Sequence, residues 1–269
     1  MTVPEHRRAR SARKVPAAAR VAAIAGVAAL EFRRSRALWY ALVAILAARA
    51  GAEFGATLAI TDTTEVRQIL YAGLARPLAV AFCAAHVAFA ALGDFDRRLV
   101  EFVAARGVSP SAWVAGRIVG AIVPAASIAA ASAVVAWSAG APLGAAIVWA
   151  AGLGCETLVG AAFALAAVIT LREGAVALVA TLAFYLFARI ATTLAEIADA
   201  ATVGDGGAHG AIRAIVDLLA RIVPNLDRYA PSGLLVGTSA EFGWVAAQTL
   251  ASVLALGALG AFDLHRQVR

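Results

Sequence analysis

Seven ionisable side chains lie inside segments of the sequence that are otherwise long and apolar. A charge near the centre of a bilayer costs at least about 2.5–3.5 kcal/mol, so each group must be paired or must face water. These groups favour either a polar strip that lines a translocation path or static ion pairs that hold helices together. The seven residues are Arg49, Glu53, Arg76, His86, Glu156, Arg189 and Glu196, and all except His86 are candidates for the path.

Spacing and position predict partners for four of these groups. Arg49 and Glu53 are four residues apart, so they can pair on one face of a helix. Glu156 and Arg189 fall in successive apolar segments, and we expect them to pair between two neighbouring helices.

No catalytic or metal-binding pattern accompanies these charges. Cys83 and His86 can lie near each other on a helix, but Cys155 is the only other cysteine and there is no second ligand cluster. The H-E-x-x-H motif of zinc proteases is absent, and serines such as Ser127 lack the G-x-S-x-G context of a nucleophile. We therefore expect no metal site and no catalytic residues, with an intramembrane enzyme as an alternative.

The elements that must position these charges are membrane-spanning helices. The chain is 62% hydrophobic and 15% charged, with a mean hydropathy of +0.82, whereas soluble domains average about 45–50% apolar and 25% charged residues. Six apolar stretches exceed the roughly 18 residues that indicate a spanning helix. The composition predicts an all-α, polytopic integral membrane protein. The six spans are about Ala37–Ile60, Ile69–Leu92, Trp113–Ser138, Leu143–Leu171, Ala175–Ala198 and Phe242–Phe262.

Basic residues alternate between the connections in a way that sets the orientation. Most of the 23 arginines and lysines precede the first span, follow the last, or lie between spans two and three. The excess of positive charge on cytoplasmic loops places both termini in the cytoplasm. Because the basic residues cluster beside spans, the topology of the chain in the lipid membrane accounts for the net charge of +6. We therefore expect no binding to nucleic acid.

The sequence divides into an N-terminal segment, residues 1–36, and a six-helix domain, residues 37–269. A weak apolar stripe through Val21, Ile24 and Val27 predicts a helix over 17–36 that lies along the inner interface. A seventh span is the competing interpretation. Within the spans, the G-x-x-x-G pairs at Gly51–Gly55 and Gly116–Gly120 suit close helix contact and are a weak signal of dimerisation.

The connection between spans two and three has an unusual charge pattern. Charged residues surround an apolar stripe of Leu99, Val100 and Val103, which share one face of a helix. The pattern predicts a short amphipathic helix over about 94–110 on the cytoplasmic side. It is too small to be a domain and has the size of a docking element for another protein.

The outer connection before the last span, residues 204–240, is the only long one predicted outside. Residues 211–223 have apolar side chains at i, i+3, i+4 and i+7, Pro224 ends that helix, and SGLLVG at 232–237 is a second apolar piece. We predict a re-entrant segment of two short helices that caps a cavity. An ordinary surface helix on a loop is the alternative.

The order of these pieces resembles the permease subunits of type-2 ABC transporters, which are mostly exporters. The resemblance covers nearly the whole chain and is most specific at Asp96–Ser111 and at the Pro-Asn-Leu-Asp of residues 224–227. Gly107 is a departure, because the family often has a proline at this place after the arginine.

The resemblance implies a dimer of two permease chains in a bacterial plasma (inner) membrane, each docked to a cytosolic ABC ATPase. The implied outer gate consists of Leu219, Pro224, Asn225 and Asp227. The chain has no G-x-x-x-x-G-K-[ST] phosphate loop, so ATP and Mg²⁺ would belong to the partner ATPase and no cofactor is expected here. A proton-coupled carrier is the alternative transporter. The implied ATPase-coupling residues are Arg97, Arg98, Leu99, Glu101, Phe102 and Val103.

Overall fold

The protein is helical in a computed structural model that describes residues 16–60, 62–200, 224–236 and 242–268, without the side chains of 192, 194–200, 242 and 268. Of these residues, 89% are helical and none forms a strand, which confirms the predicted all-α class for the described part. The elements are α1 (Ala17–Arg34), α2 (Ala37–Thr57), α3 (Thr63–Asp96), α4 (Leu99–Ala105), α5 (Pro110–Ser138), α6 (Leu143–Leu171), α7 (Gly174–Ala200), the 3₁₀ turns η1 (Leu226–Arg228) and η2 (Ser232–Val236), and α8 (Phe242–Val268).

Within the described residues, six helices are long and apolar enough to cross a membrane: α2, α3, α5, α6, α7 and α8. They coincide with the six predicted spans, so by helix length and composition the chain is a multi-pass membrane protein. The helix α3 differs most, because it extends beyond the predicted span at both ends. It starts early since Asp62 caps it by accepting hydrogen bonds from the backbone N–H groups of Thr64 and Glu65.

The helix α6 lies at the centre of the bundle and contacts α3, α5, α7 and α8. Small residues allow these close approaches: Gly160 of α6 lies against Val80 of α3, and Gly260 of α8 lies against Ile169 of α6. The alanine-rich composition therefore builds a tightly packed centre from modestly hydrophobic helices.

The N-terminal helix α1 packs along α5 and is not among the helices apolar enough to cross a membrane. Gly116 and Gly120 of α5 face Ile24 and Ala28 of α1, and a Cβ atom at either glycine would clash with these side chains. The G-x-x-x-G spacing at this place thus serves a contact within the chain, which explains it without a dimer.

The two ends of the bundle are marked by different contacts. At the end that carries α4, called the α4 end below, Arg172 after α6 stacks 3.8 Å from the ring centre of Phe95 on α3 and donates to Gln267 of α8. At the opposite end, Trp149 of α6 donates its indole N–H to the carbonyl oxygen of Ala230 at 3.1 Å. The residues around η1 and η2 are therefore fastened to the end away from α4.

Candidate functional site

A buried ion pair joins α3 to α6. The Nε of Arg76 donates to Oε2 of Glu156 at 3.0 Å, and the two side chains are 1% and 0% exposed. At 1.5 Å per residue, each lies about 20 Å from the start of its helix at the end opposite α4. Two opposite charges at this depth satisfy each other, whereas either one alone would be a costly buried charge.

The same arginine holds the chain that precedes α8. Its Nη2 donates to the carbonyl oxygen of Leu226 at 2.7 Å and to that of Asp227 at 3.4 Å. Its Nη1 also lies 3.8 Å from Oδ1 of the Asp227 carboxylate. Arg76 therefore fastens η1 to the interior of the bundle with both its charge and its hydrogen-bond donors.

A second arginine reaches the same carboxylate from α7. The Nε of Arg189 lies 3.9 Å from Oδ1 of Asp227, and its Nη1 donates to the Tyr185 hydroxyl at 3.3 Å. Two guanidinium groups and two carboxylates thus balance one another in what we call the buried charge cluster, Arg76, Glu156, Arg189 and Asp227. Because Asp227 is half exposed, the cluster extends from the sealed interior to the surface.

The backbone around η1 fits against α6 because α6 carries a glycine there. A Cβ atom at Gly152 would overlap the carbonyl oxygen of Tyr229. Leu226, Leu234 and Leu235 of the same segment are buried. Residues 225–236 are therefore packed against the helix bundle and form 3₁₀ turns, whereas the predicted helix of residues 211–223 lies outside the described residues.

The partner of Glu156 differs from the predicted one. Arg76 makes the direct contact, whereas Arg189 is held by Asp227 and Tyr185. The difference arises because α3 contacts α6 more extensively than α7 does, which adjacency along the chain could not indicate. Of the remaining predicted positions, the side chain of Glu196 and the whole of Leu219 lie outside the described residues, and Pro224 and Asn225 lead into η1.

The predicted pair of Arg49 and Glu53 is confirmed on α2. Arg67 of α3 joins it, with its Nε 3.1 Å from Oε2 of Glu53. Among the described residues, no ion pair links these three side chains to the buried charge cluster. The candidates for one polar strip therefore form two separate groups.

At the other end of the molecule, α4 is shorter than the predicted helix of residues 94–110. It is preceded by Arg98 in the left-handed region, at φ 53°, and followed by Gly107 at φ 79°, where a proline could not lie because its φ is fixed near −65°. Asp94 to Asp96 belong to α3, and Pro110 begins α5. The departure at Gly107 thus coincides with a turn that needs a glycine.

The predicted apolar stripe of α4 divides between two faces. Val100 is buried and anchors the helix, whereas Leu99 and Phe102 are 38% and 52% exposed and Val103 is half-buried. The guanidinium of Arg106 lies 4.1 Å from the ring centre of Phe102. The other predicted coupling residues, Arg97, Arg98 and Glu101, are exposed around this surface.

A buried charge group that the sequence analysis missed ties α5 to α3 and α1 near the α4 end. Arg117 of α5 donates to Oδ2 of Asp94 at 2.9 Å and to Oε2 of Glu31 at 2.6 Å. These bonds connect α5 to the last turn of α3 and to α1. Asp94 falls in the predicted connecting helix of residues 94–110, but α3 extends to Asp96 and buries it, and Arg117, inside the predicted third span, is buried beside it.

A cavity of about 490 Å³ separates α4 from the ends of α6 and α8. Glu101, Arg98, Arg172 and Gln267 supply polar groups to its wall. Partial burial lowers the pKa of Arg172, and nearby Asp263 and Glu101 oppose this shift; an arginine nevertheless stays charged at neutral pH. The surface beside α4 is therefore both polar and recessed.

The described residues contain no group of three or more His, Cys, Asp or Glu side chains placed to hold a metal ion. The rings of His86 and Phe32 pack edge to face, with ring centres 5.1 Å apart. No model of a known protein family matches the sequence, and no curated protein matches it. The arrangement of the residues themselves is therefore the basis for a functional conclusion.

Proposed function

We propose that this chain is the membrane subunit of an ATP-driven exporter of the type-2 ABC class. In this proposal two permease copies assemble in a bacterial plasma membrane with their termini in the cytoplasm. A separate ATPase binds each copy and supplies ATP hydrolysis with Mg²⁺. The resemblance of the motif order suggests the class and the direction of transport, and the geometry at α4 supports a docking role for that helix.

The exposed apolar face of α4 is the observation that carries the proposal. Leu99 and Phe102 lie outside the core at the polar end of a connection, where water and not lipid is expected, and arginines and Glu101 surround them. An apolar centre with a charged rim is the usual composition of a protein–protein contact. The recess between α4 and the end of α8 gives a partner helix or loop a place to insert.

Force applied at α4 reaches the bundle through α3 in this proposal. Val100 anchors α4, and the Arg117 bonds to Asp94 and Glu31 hold the ends of α3, α5 and α1 together. The helix α3 runs from Asp96 back to Thr63 with Pro77 inside it, directly after Arg76, about 50 Å at 1.5 Å per residue. The same helix carries Asp94 near α4 and Arg76 in the buried charge cluster, about 27 Å apart.

In this mechanism α3 transmits the movement of the ATPase to the segment around η1. A displacement of α3 changes the position of Arg76 relative to Glu156 and to the carbonyl oxygen of Leu226. Because both contacts depend on hydrogen-bond distances, a shift of a few ångströms breaks them. The segment before α8 is then the element that opens a path at the end opposite α4.

Glu156 favours a second candidate function, a proton-coupled carrier. Its carboxylate is fully buried and Oε1 is sealed from solvent, and buried intramembrane carboxylates of this kind serve as proton acceptors in pumps and transporters. The two functions differ in their energy source. A purified chain that transports in response to a pH gradient without any ATPase would favour the carrier.

The docking role of α4 is tested by purifying the tagged chain from its native membranes. We expect it to bring down a protein with a G-x-x-x-x-G-K-[ST] loop, and the double variant Leu99→Glu/Phe102→Glu to lose it. Ile60→Glu is the matched control, since Ile60 is a fully exposed apolar residue in the connection at the opposite end. If the double variant retains the ATPase as well as the control does, α4 is not the docking site.

A further inference from the structure

The ion-pair group of Arg49, Glu53 and Arg67 on α2 and α3 has more positive than negative charges, whereas the charges of the buried charge cluster balance. Two guanidinium groups share one carboxylate: Arg49 contacts Oε1 of Glu53, and Arg67 Nε lies 3.1 Å from Oε2. Among the described residues, no other carboxylate lies within ion-pair distance of either arginine. One positive charge is therefore left over on helices that are otherwise apolar.

Neighbouring polar residues among those described are not paired with these arginines. Tyr71 donates its hydroxyl to the carbonyl oxygen of Ser132, Asp62 accepts the capping hydrogen bonds of α3, and Glu65 is exposed on α3 without an ion pair to either arginine. Arg49 Nη1 is sealed from solvent and Arg67 Nε is turned toward Glu53, so a ligand reaches the remaining N–H groups of these arginines, whose side chains are 18% and 25% exposed. The N–H groups of two adjacent guanidinium groups match the oxygens of a phosphate or carboxylate.

The group opens sideways onto an apolar surface. The side chain of Glu53 is 44% exposed, and on the same helix Leu46 and Phe54 are exposed apolar neighbours. A ligand that satisfies both features has an acidic head beside the arginines and an apolar tail along α2. The fully sealed pair of Arg76 and Glu156 has no such access.

We propose that Arg49 and Arg67 form a binding site for a phosphate-bearing amphiphile, with the apolar face of α2 in contact with its acyl chain. The occupant of this site is an anionic membrane lipid. The site does not depend on the exporter proposal, because it requires only that α2 and α3 lie in a membrane.

The test measures lipid binding to the purified full-length chain by native mass spectrometry. We expect phosphatidylglycerol to bind more tightly than phosphatidylcholine. Arg67→Gln and Arg49→Gln are each expected to lower the affinity for phosphatidylglycerol by about fivefold, which is the effect of one charge near a headgroup. The control is Arg228→Gln, an exposed arginine in η1 at the same end of the bundle, which leaves this affinity unchanged.

A variant with the opposite expected sign separates this site from a folding defect. Glu53→Gln removes the shared carboxylate and is expected to raise the affinity for phosphatidylglycerol by about fivefold. Glycerol phosphate, which has the same head without a tail, is expected to bind far more weakly. The proposal would be overturned if the two lipids bound equally well, or if glycerol phosphate bound as tightly as phosphatidylglycerol. It would also be overturned if substitutions at Arg49, Glu53 and Arg67 left the affinity for phosphatidylglycerol unchanged.

Discussion

At the residue scale, the molecule is organised by buried charges that satisfy one another across helices. Arg76 pairs with Glu156 and also holds the carbonyl oxygen of Leu226, while Arg117 pairs with Asp94 and Glu31. Each arginine connects three elements, because a guanidinium group has five N–H donors in a planar fork. These two side chains therefore add directional hydrogen bonds to the close packing of the alanine-rich helices.

The Arg76–Glu156 pair is expected to show strong energetic coupling. Arg76→Gln leaves the Glu156 carboxylate buried without its ion-pair partner, which costs about 3–5 kcal/mol of unfolding free energy, whereas Glu156→Gln is expected to cost less because Arg76 keeps Asp227 at 3.8 Å. The double variant removes both charges, and its loss of unfolding free energy is expected to be clearly smaller than the sum of the losses in the two single variants. Unfolding by sodium dodecyl sulfate in mixed micelles measures all three. Strict additivity of the two losses would show that the residues do not interact.

At the element scale, the segment around η1 depends on a contact with α6 that has no space for a side chain. Gly152 lets the backbone of Tyr229 touch α6, and Trp149 donates to the next carbonyl oxygen, that of Ala230. The segment can therefore stay in place only while both α6 and the buried charge cluster hold it. This double attachment suits an element that opens when α3 moves.

Gly152→Ala is expected to displace this segment. The added Cβ overlaps the Tyr229 carbonyl oxygen, and forcing extra volume into a packed site typically costs about 1–3 kcal/mol. The matched control is Gly144→Ala on the same helix, where a Cβ meets nothing within 4 Å. Limited proteolysis reads out the result: cleavage near residues 224–236 should increase in Gly152→Ala only. Equal protection in both variants would mean that the segment is not held by this contact.

The helices could be predicted from the sequence because a spanning segment is a local property of composition. The Arg49–Glu53 pair could be predicted for the same reason, since four residues bring two side chains to one helix face. The pairs Arg76–Glu156 and Arg117–Asp94 join residues that are 80 and 23 positions apart. Such contacts depend on which helices pack together, and that depends on the summed fit of many alanine and glycine surfaces.

At the scale of the whole molecule, α3 links the two ends. One of its ends adjoins α4 and is held by Arg117, and Arg76 of the same helix holds the segment around η1. The central claim is that an ATPase docked on α4 moves that segment through α3. The claim requires that the end opposite α4 responds to a nucleotide bound outside this chain.

One distance measurement tests this claim most directly. Spin labels at Leu58, exposed at the end of α2, and Val236, at the end of η2, report the separation at the end opposite α4, after Cys83 and Cys155 are replaced by alanine. In the complex with the copurifying ATPase, we predict that ATP with orthovanadate produces a new distance population, and that Leu99→Glu/Phe102→Glu abolishes it. An unchanged distance distribution in a complex that hydrolyses ATP would contradict the account.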